Sequence, residues 1–303
     1  MNIMFMGTPH IAVPFLNEVN KSYNVCCVVT QPDKPRGRGH ILSRCPVAET
    51  ADNMGIDVVQ PVTFSDNAFL PVLEKYKPDL IAVVAYGRIL PKYVLDYPKY
   101  GCINVHASLL PKHRGACPIN KAIMDGDAVS GVTTMLMGEG LDTGDMLLTK
   151  EIKITPTMTA GELHDIICDT CPAVLTETID KIESIVPVKQ DDNDATYTGM
   201  LTKENTKIDW NNSPKEIVDF IRGLNPFPTA HTSLNGKGIK VFGAKVCDGN
   251  GENGVIIDTN NRLVVACGGG AVEITELQLE SKKRMSSQDL LRGYKISVGE
   301  VLI

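Results

Sequence analysis

The chain carries no surplus of positive charge. Its net charge is −6 over 303 residues, which excludes a general basic surface for a polyanion and leaves only local clusters for any nucleic-acid contact. No apolar run approaches the roughly 20 residues of a membrane-spanning helix. The longest lie near "LIAVVAY" (80–86), so no membrane contact is expected. "GTPH" (7–10) follows the first strand pattern where a G-x-G-x-x-G would stand, and neither a P-loop nor a G-x-S-x-G elbow occurs. A dinucleotide site, a phosphate-cradling P-loop and a serine-hydrolase nucleophile are therefore disfavoured. Neither a secretory leader nor an Arg/Ser-rich presequence is expected for the chain. Its nine cysteines, an odd number with Cys26 and Cys27 adjacent, are expected reduced in a cytoplasmic protein. No His/Cys spacing reads as a zinc site beyond a single C-x-x-C, Cys168–Cys171, which falls midway along a predicted helix; no metal is expected.

What is present is an ordinary globular balance, 43% hydrophobic and 22% charged, in a chain long enough to bury a substantial core without covalent staples. Apolar runs at 2–7, 24–30, 80–87 and 101–106 alternate with helical patterns. In the first of these Ile11, Ala12, Phe15, Leu16 and Val19 share a face. Runs apolar on both sides predict a mostly parallel sheet covered by helices, a Rossmann-like α/β domain. Further strands at 131–137 and 146–154 and one long helix over about 160–184 complete it. The polar, aperiodic stretch 186–204 reads as a linker between a first domain, 1–185, and a second, 205–303. The second opens with a helix capped near Ser213 and continues in short strands with hairpin signals at "LNGKG" and "DTNNR", the pattern of a small β-barrel. Charge follows this division, −7 up to residue 204 and +1 beyond it.

In such sheets ligands sit beyond the carboxyl ends of the strands. Asn104 and His106 alternate along one strand end and so point to one face. Asp142 lies in the glycine-punctuated turn "GEGLDTGD". Singly, each has a plain explanation: a capping amide, a satisfied loop histidine, a turn former. Together, an amide donor, an imidazole and a carboxylate that orients it suit transfer of a carbonyl-type group through a tetrahedral intermediate. No serine or cysteine nucleophile accompanies them. Two basic segments stand apart: "QPDKPRGRGHILSRCPV" (31–47), with Lys34, Arg36, Arg38 and Arg44, and "ESKKRMSSQDLLRGYK" (280–295), with Lys282, Lys283 and Arg284. Each is either a solvated surface or a phosphate-tracking one.

The segments "MGTPHIAVPFL", "QPDKPRGRG", "VVAYGRILP", "INVHASLLPKHRGACPI", "GVTTMLMGEGLDTGDML", "IDWNNSPKEIVDFIRGLNPFPTA" and "KKRMSSQDLLRG" resemble the methionyl-tRNA formyltransferases over nearly the whole chain. The Asn-x-His, SLLP and D-x-G-D elements are shared with other folate-dependent formyltransferases. They bear on the reaction, while the basic loop and the C-terminal segments bear on the acceptor. The resemblance implies formyl transfer from 10-formyltetrahydrofolate to the methionyl α-amine of initiator tRNA. It implies catalytic roles for Asn104, His106 and Asp142. Asn104 and His106 would stabilise charge on the formyl oxygen, and Asp142 would orient His106 and relay the amine proton. It further implies a folate segment at Ser108, Leu109, Leu110, Pro111 and Lys112, a pterin pocket lined around Tyr86, Gly87 and Ile89, and a tRNA contact at Arg38. The second domain is expected to be an oligonucleotide-binding-type barrel, and the working form a monomer in the cytoplasm. A purine-pathway or amino-sugar acceptor and an inactive RNA-binding module are the competing readings.

Overall fold

The structure, a computed structural model, describes residues 1–36 and 41–303, with Arg36, Ile41 and Leu42 described by their backbone. In chain order its elements begin β1 (Asn2–Gly7), α1 (Ala12–Ser22), β2 (Asn24–Val29), β3 (Lys34–Arg36), β4 (Ile41–Ser43), α2 (Pro46–Asn53), β5 (Val58–Val59), α3 (Leu70–Tyr76), β6 (Leu80–Val84), α4 (Lys92–Leu95) and β7 (Cys102–His106). They continue with β8 (Arg114–Gly115), α5 (Pro118–Met124), β9 (Val129–Leu136), β10 (Met146–Lys153), α6 (Ala160–Thr170), α7 (Pro172–Asp180), β11 (Tyr197–Thr198) and α8 (Pro214–Gly223). Last come β12 (Ala230–Leu234), β13 (Lys237–Cys247), β14 (Ile256–Asp258), β15 (Leu263–Cys267), β16 (Gly270–Leu279), β17 (Met285–Ser286) and α9 (Ser287–Gly293). Two units emerge. One comprises Met1–Gly115, Gly131–Ile152 and His164–Tyr197, and the other Ala116–Ser130, Lys153–Leu163 and Thr198–Ile303. No helix among the described residues is long and apolar enough to cross a membrane.

The leading unit is built on a seven-stranded sheet in the order β10-β9-β7-β6-β1-β2-β5. β1 is parallel to β2 and β6, β6 to β7 and β2 to β5, whereas β9 runs antiparallel to β7. This is the mostly parallel α/β sheet that the doubly apolar runs predict. β1 is buried on both faces, with Ile3, Met4, Phe5 and Met6 all at 0% exposure. Met4, Met6, Ile81, Val83 and Cys102 pack in one cluster with Phe69 and Leu73. α1 buries Ala12, Phe15, Leu16 and Val19, the i, i+3, i+4, i+7 stripe of an amphipathic helix. Each of the large side chains among them is worth roughly 1.5–3 kcal/mol once buried.

The single helix expected over 160–184 is two helices, α6 and α7, that meet at Cys171. Pro172 opens the second because it has no N–H to continue the first, while at a helix start that lack costs nothing. The C-x-x-C pair therefore sits at a helix junction and not midway along one. All nine cysteines are free thiols.

The trailing unit is an antiparallel sheet in the order β12-β13-β16-β15-β14, with β17 on β16. At its entrance Ser213 caps α8 in a reciprocal box with Glu216, as the S-P-K-E spelling predicts. The β12–β13 turn uses Asn235 and Gly236 at φ 51° and 76°, the pair that a type I′ hairpin needs. The last residues close the sheet into a barrel. Leu302 bridges Leu234 of β12, and Val301 bridges Val255 beside β14. Ser233 and Ile303 exchange N–H···O bonds of 2.9 and 3.0 Å, and the Leu302 N–H donates to Gly254 O at 2.8 Å. Inside lie Trp210, Ile217, Ile221, Val241, Val265, Val272, Ile274 and Leu302.

Candidate active site

β7 delivers the first two functional side chains. Its register against β6 pairs Val83 with Asn104, and against β9 it pairs Asn104 with Met135 and His106 with Thr133. Asn104 and His106 thus leave the sheet on one face at its carboxyl edge. His106 is 6% exposed, and a buried imidazole needs a partner at each nitrogen. Nε2 lies 2.9 Å from the carbonyl oxygen of His113. That oxygen can only accept, so Nε2 carries the proton. Nδ1 faces Asp142 Oδ2 at 3.5 Å.

Asp142 comes from the loop between β9 and β10. Its own φ is +52°, a left-handed conformation that Asp tolerates better than most residues. Two residues on, a Cβ at Gly144 would stand 1.6 Å from Leu136 O, so only glycine lets the loop fold back against β9 and present the carboxylate. Oδ2 accepts the Gly115 N–H at 2.8 Å, and Oδ1 receives the Asn104 amide at 3.5 Å. The second contact is long, which leaves the Asn104 amide hydrogens available to a ligand.

A further layer holds the loop. The Gln190 side-chain amide donates to the carbonyl oxygens of Asp142 and Gly144 at 2.9 and 2.7 Å. Its own oxygen accepts from Arg114 Nε at 2.8 Å. Arg114, 1% exposed, also donates from Nη1 to Tyr197 Oη at 2.9 Å and pairs there with Asp192. The stretch read as a linker is therefore bound to the site: Thr196 O accepts the Arg114 N–H at 2.8 Å and the Thr196 hydroxyl accepts the His113 N–H at 2.8 Å. Gln190, Arg114, Gly115 and His113 were absent from the sequence-based site. An aperiodic polar run gives no hint that one of its amides reaches a distant loop.

The segment 108–112 is a closed turn. Ser108 Oγ donates to Lys112 O at 2.6 Å, while Thr133 Oγ1 donates to Ser108 O at 2.7 Å and accepts the Leu110 N–H at 3.1 Å. Ser108 and Leu110 are buried, Leu109 and Pro111 half-buried and Lys112 exposed. At the carboxyl ends of β1, β2 and β6 lies a cavity of about 310 Å³ lined by Thr8, Gln31, Lys34 and Tyr86 to Gly87 among others. Gln31 Nε2 donates to Tyr86 O at 2.8 Å. The Tyr86 ring belongs to the core, edge-on to Phe64 at 6.2 Å, and burial pushes its phenol up to about 12. It is the Tyr86 backbone that lines the cavity. Ile89 is 79% exposed.

Of the basic residues, Lys34 borders that cavity, Arg36 is described by its backbone in β3, and Arg38 lies outside the described residues. Arg44 is bound bidentately by Asp52 at 2.8 and 2.7 Å. In the trailing unit Lys282 and Lys283 are exposed. Arg284 is held by Glu276 through two bonds of 2.6 Å and lies over the Phe242 ring at 4.2 Å.

Relatives share both units. A family model described as formyl transferase matches residues 1–179, and one described as formyl transferase, C-terminal domain, matches 200–295. A methionyl-tRNA formyltransferase of Clostridium novyi (strain NT) is 48% identical over 308 residues, covering 100% of both chains. One from Geotalea daltonii is 47% identical over 306 residues, covering 100% of this chain and 98% of the relative. Among solved structures, an N-formyltransferase from Helicobacter canadensis in complex with folinic acid and dTDP-3-aminofucose superposes with a TM-score of 0.67 at 19% identity, covering 92% of this chain and 99% of that one. At that identity the likeness is one of fold. With two matching family models and full-length relatives at nearly half identity, the chain belongs to the formyl transferase family.

Proposed function

We propose that this chain moves the formyl group of 10-formyltetrahydrofolate onto the α-amine of methionine carried by initiator tRNA, by direct attack through a tetrahedral intermediate. The reading rests on the meeting of Asn104, His106 and Asp142 at one strand end. The full-length likeness to methionyl-tRNA formyltransferases supports it. The residues present suit a reduced folate: a closed turn at 108–112 and the Tyr86–Gly87 backbone frame the sheet's carboxyl edge with polar main-chain groups. When bound, the folate supplies a formyl carbon, electrophilic through its carbonyl oxygen, on a nitrogen that can leave.

Asn104 then donates an amide hydrogen to the formyl oxygen as negative charge gathers there, a donor worth about 2.7–4 kcal/mol of barrier. The Nε2 proton of His106 is bound to the His113 carbonyl oxygen, so Nδ1 is the nitrogen with a lone pair to use. The proton shed by the attacking amine settles on Nδ1 beside Asp142 Oδ2, directly or through one water, and is later returned to the nitrogen that leaves. This gives His106 the part of proton carrier and Asn104 that of oxyanion donor. We place the work in the cytoplasm, in a monomer, with Arg38, Arg36, Lys34, Lys282 and Lys283 meeting tRNA phosphates. Arg284 joins that set less directly, since Glu276 already holds its charge.

The test is to supply 10-formyltetrahydrofolate with charged initiator tRNA and assay formylmethionine. Asn104→Ala should lower the rate about 10²–10³-fold. Formylation at the parent rate by that variant, or faster transfer to a free amino sugar than to the tRNA, would overturn the reading. Arg38→Ala should weaken turnover on tRNA and spare folate binding, and added salt should depress tRNA use more than folate use through counterion release.

A further inference from the structure

Outside the candidate active site, the leading unit gathers a second set of chemistry-bearing side chains. His10 follows Thr8 and Pro9, two residues of the cavity wall, where β1 gives way to α1. His164 and Cys168 stand one turn apart on α6 and share a helix face. One nitrogen from each imidazole and the Cys168 sulfur all lie within 4.8 Å of one another. The two rings are 6.4 Å apart at 31°, near the outer end of the range for ring pairs, and a ring contact does not account for the Cys168 sulfur beside them. The reaction uses none of the three.

We propose that His10, His164 and Cys168 form a binding site for a zinc-class divalent cation, which takes nitrogen and thiolate ligands together. A tetrahedral ion with bonds of about 2.0–2.3 Å sets its ligand atoms roughly 3.3–3.8 Å apart. The present spread closes by side-chain rotation. His10 is exposed and His164 half-buried, so both are free to turn, while Cys168 is buried and fixed. The Cys168 sulfur already stands 3.9 Å from each His164 nitrogen. Asp165 Oδ1 lies 3.0 Å from His164 Nδ1, the carboxylate–histidine arrangement that orients a ligand imidazole and leaves Nε2 to the metal. Three protein ligands leave a fourth position for water.

On binding, the Cys168 S–H bond breaks, its proton passes to solvent and an S–metal bond forms, with no change in oxidation state. Without the cation, burial and then the nearby Asp165 and Asp169 push the thiol up to about 11. The bound ion would pin the β1–α1 turn, and with it the Thr8–Pro9 wall of the cavity, to α6.

The full chain, stripped with a chelator and dialysed, is titrated with Co²⁺ alone and then with Zn²⁺. One Co²⁺ per chain should bind, with the thiolate-to-cobalt absorption and the visible bands of four-coordinate cobalt, and Zn²⁺ should abolish both. Cys168→Ser should lose the thiolate absorption. His10→Ala, at an exposed position that leaves the fold intact, should weaken Zn²⁺ more than about tenfold, and Asp165→Asn about tenfold. Cobalt bound without thiolate absorption, or Zn²⁺ affinity that stays within about twofold of the parent in both His10→Ala and Cys168→Ser, overturns the site.

Discussion

In the leading unit the loop that carries Asp142 is held by side chains and single N–H groups reaching in from distant chain: Gln190 on two carbonyls, Gly115 on the carboxylate, Arg114 behind Gln190. In the trailing unit the equivalent closure, residues 299–303 joining β12 to the β14 side, is made almost wholly of backbone bonds over an apolar interior. Side-chain tethers position a polar group without filling space, so cutting one moves a reactive atom and leaves the core alone. A backbone seam over packed side chains carries stability, and its loss exposes the core to water. The contrast predicts that substitutions in the two places fail in different measurements.

The largest effect should come from Asp142→Asn. The swap keeps size and removes the charge that stabilises the proton carried on His106 Nδ1. Formyl transfer should fall about 10²–10⁴-fold while the denaturant midpoint stays near the parent's. A variant that unfolds early instead would mean that the carboxylate supports the fold and the contrast fails on its leading side.

Next in size is Leu302→Ala. Leu302 is 3% exposed in the barrel core, and truncating such a leucine costs about 2–5 kcal/mol. Hydrogen exchange should quicken in β12 to β16 while amides of β1, β6 and β7 keep their protection. Equal loss in both sets would mean that the two units unfold as one.

How far this contrast was legible in the sequence depends on the kind of force at work. Apolar periodicity announced β1, α1 and β7, because burial imposes a period on the chain. Asn104 and His106 could be found because they end such a run. Ser213 and the Asn235–Gly236 turn could be found because their chemistry is local. Asp142 was visible as a turn residue, but its bond to Gly115 spans 27 positions, and no local rule reports that. The helix break at Cys171 was readable from Pro172 and was overridden by the apolar stripe on either side. His164 and Cys168 have helical i, i+4 spacing, but His10 meets them from the turn between β1 and α1, and no local rule reports that. Gln190 left no trace at all: in a polar, aperiodic run one amide looks like any other.

Gln190 is accordingly the sharpest test of the side-chain tether, with the smallest effect of the three. Gln190→Ala leaves two carbonyls and the buried Arg114 short of a partner, a loss on the order of 1–3 kcal/mol. It should appear mainly in kcat, because the residue positions Asp142 and does not touch substrate. Gln190→Glu separates positioning from mere packing. The carboxylate is the same size and still accepts from Arg114 Nε, but it offers only acceptors to the Asp142 and Gly144 carbonyls. Glu should therefore be at least as slow as Ala while melting no earlier, since its bond to Arg114 is strengthened by charge. If Glu restored the parent kcat, the Arg114 contact alone would be holding the loop, and the two amide bonds of 2.9 and 2.7 Å would carry no catalytic weight.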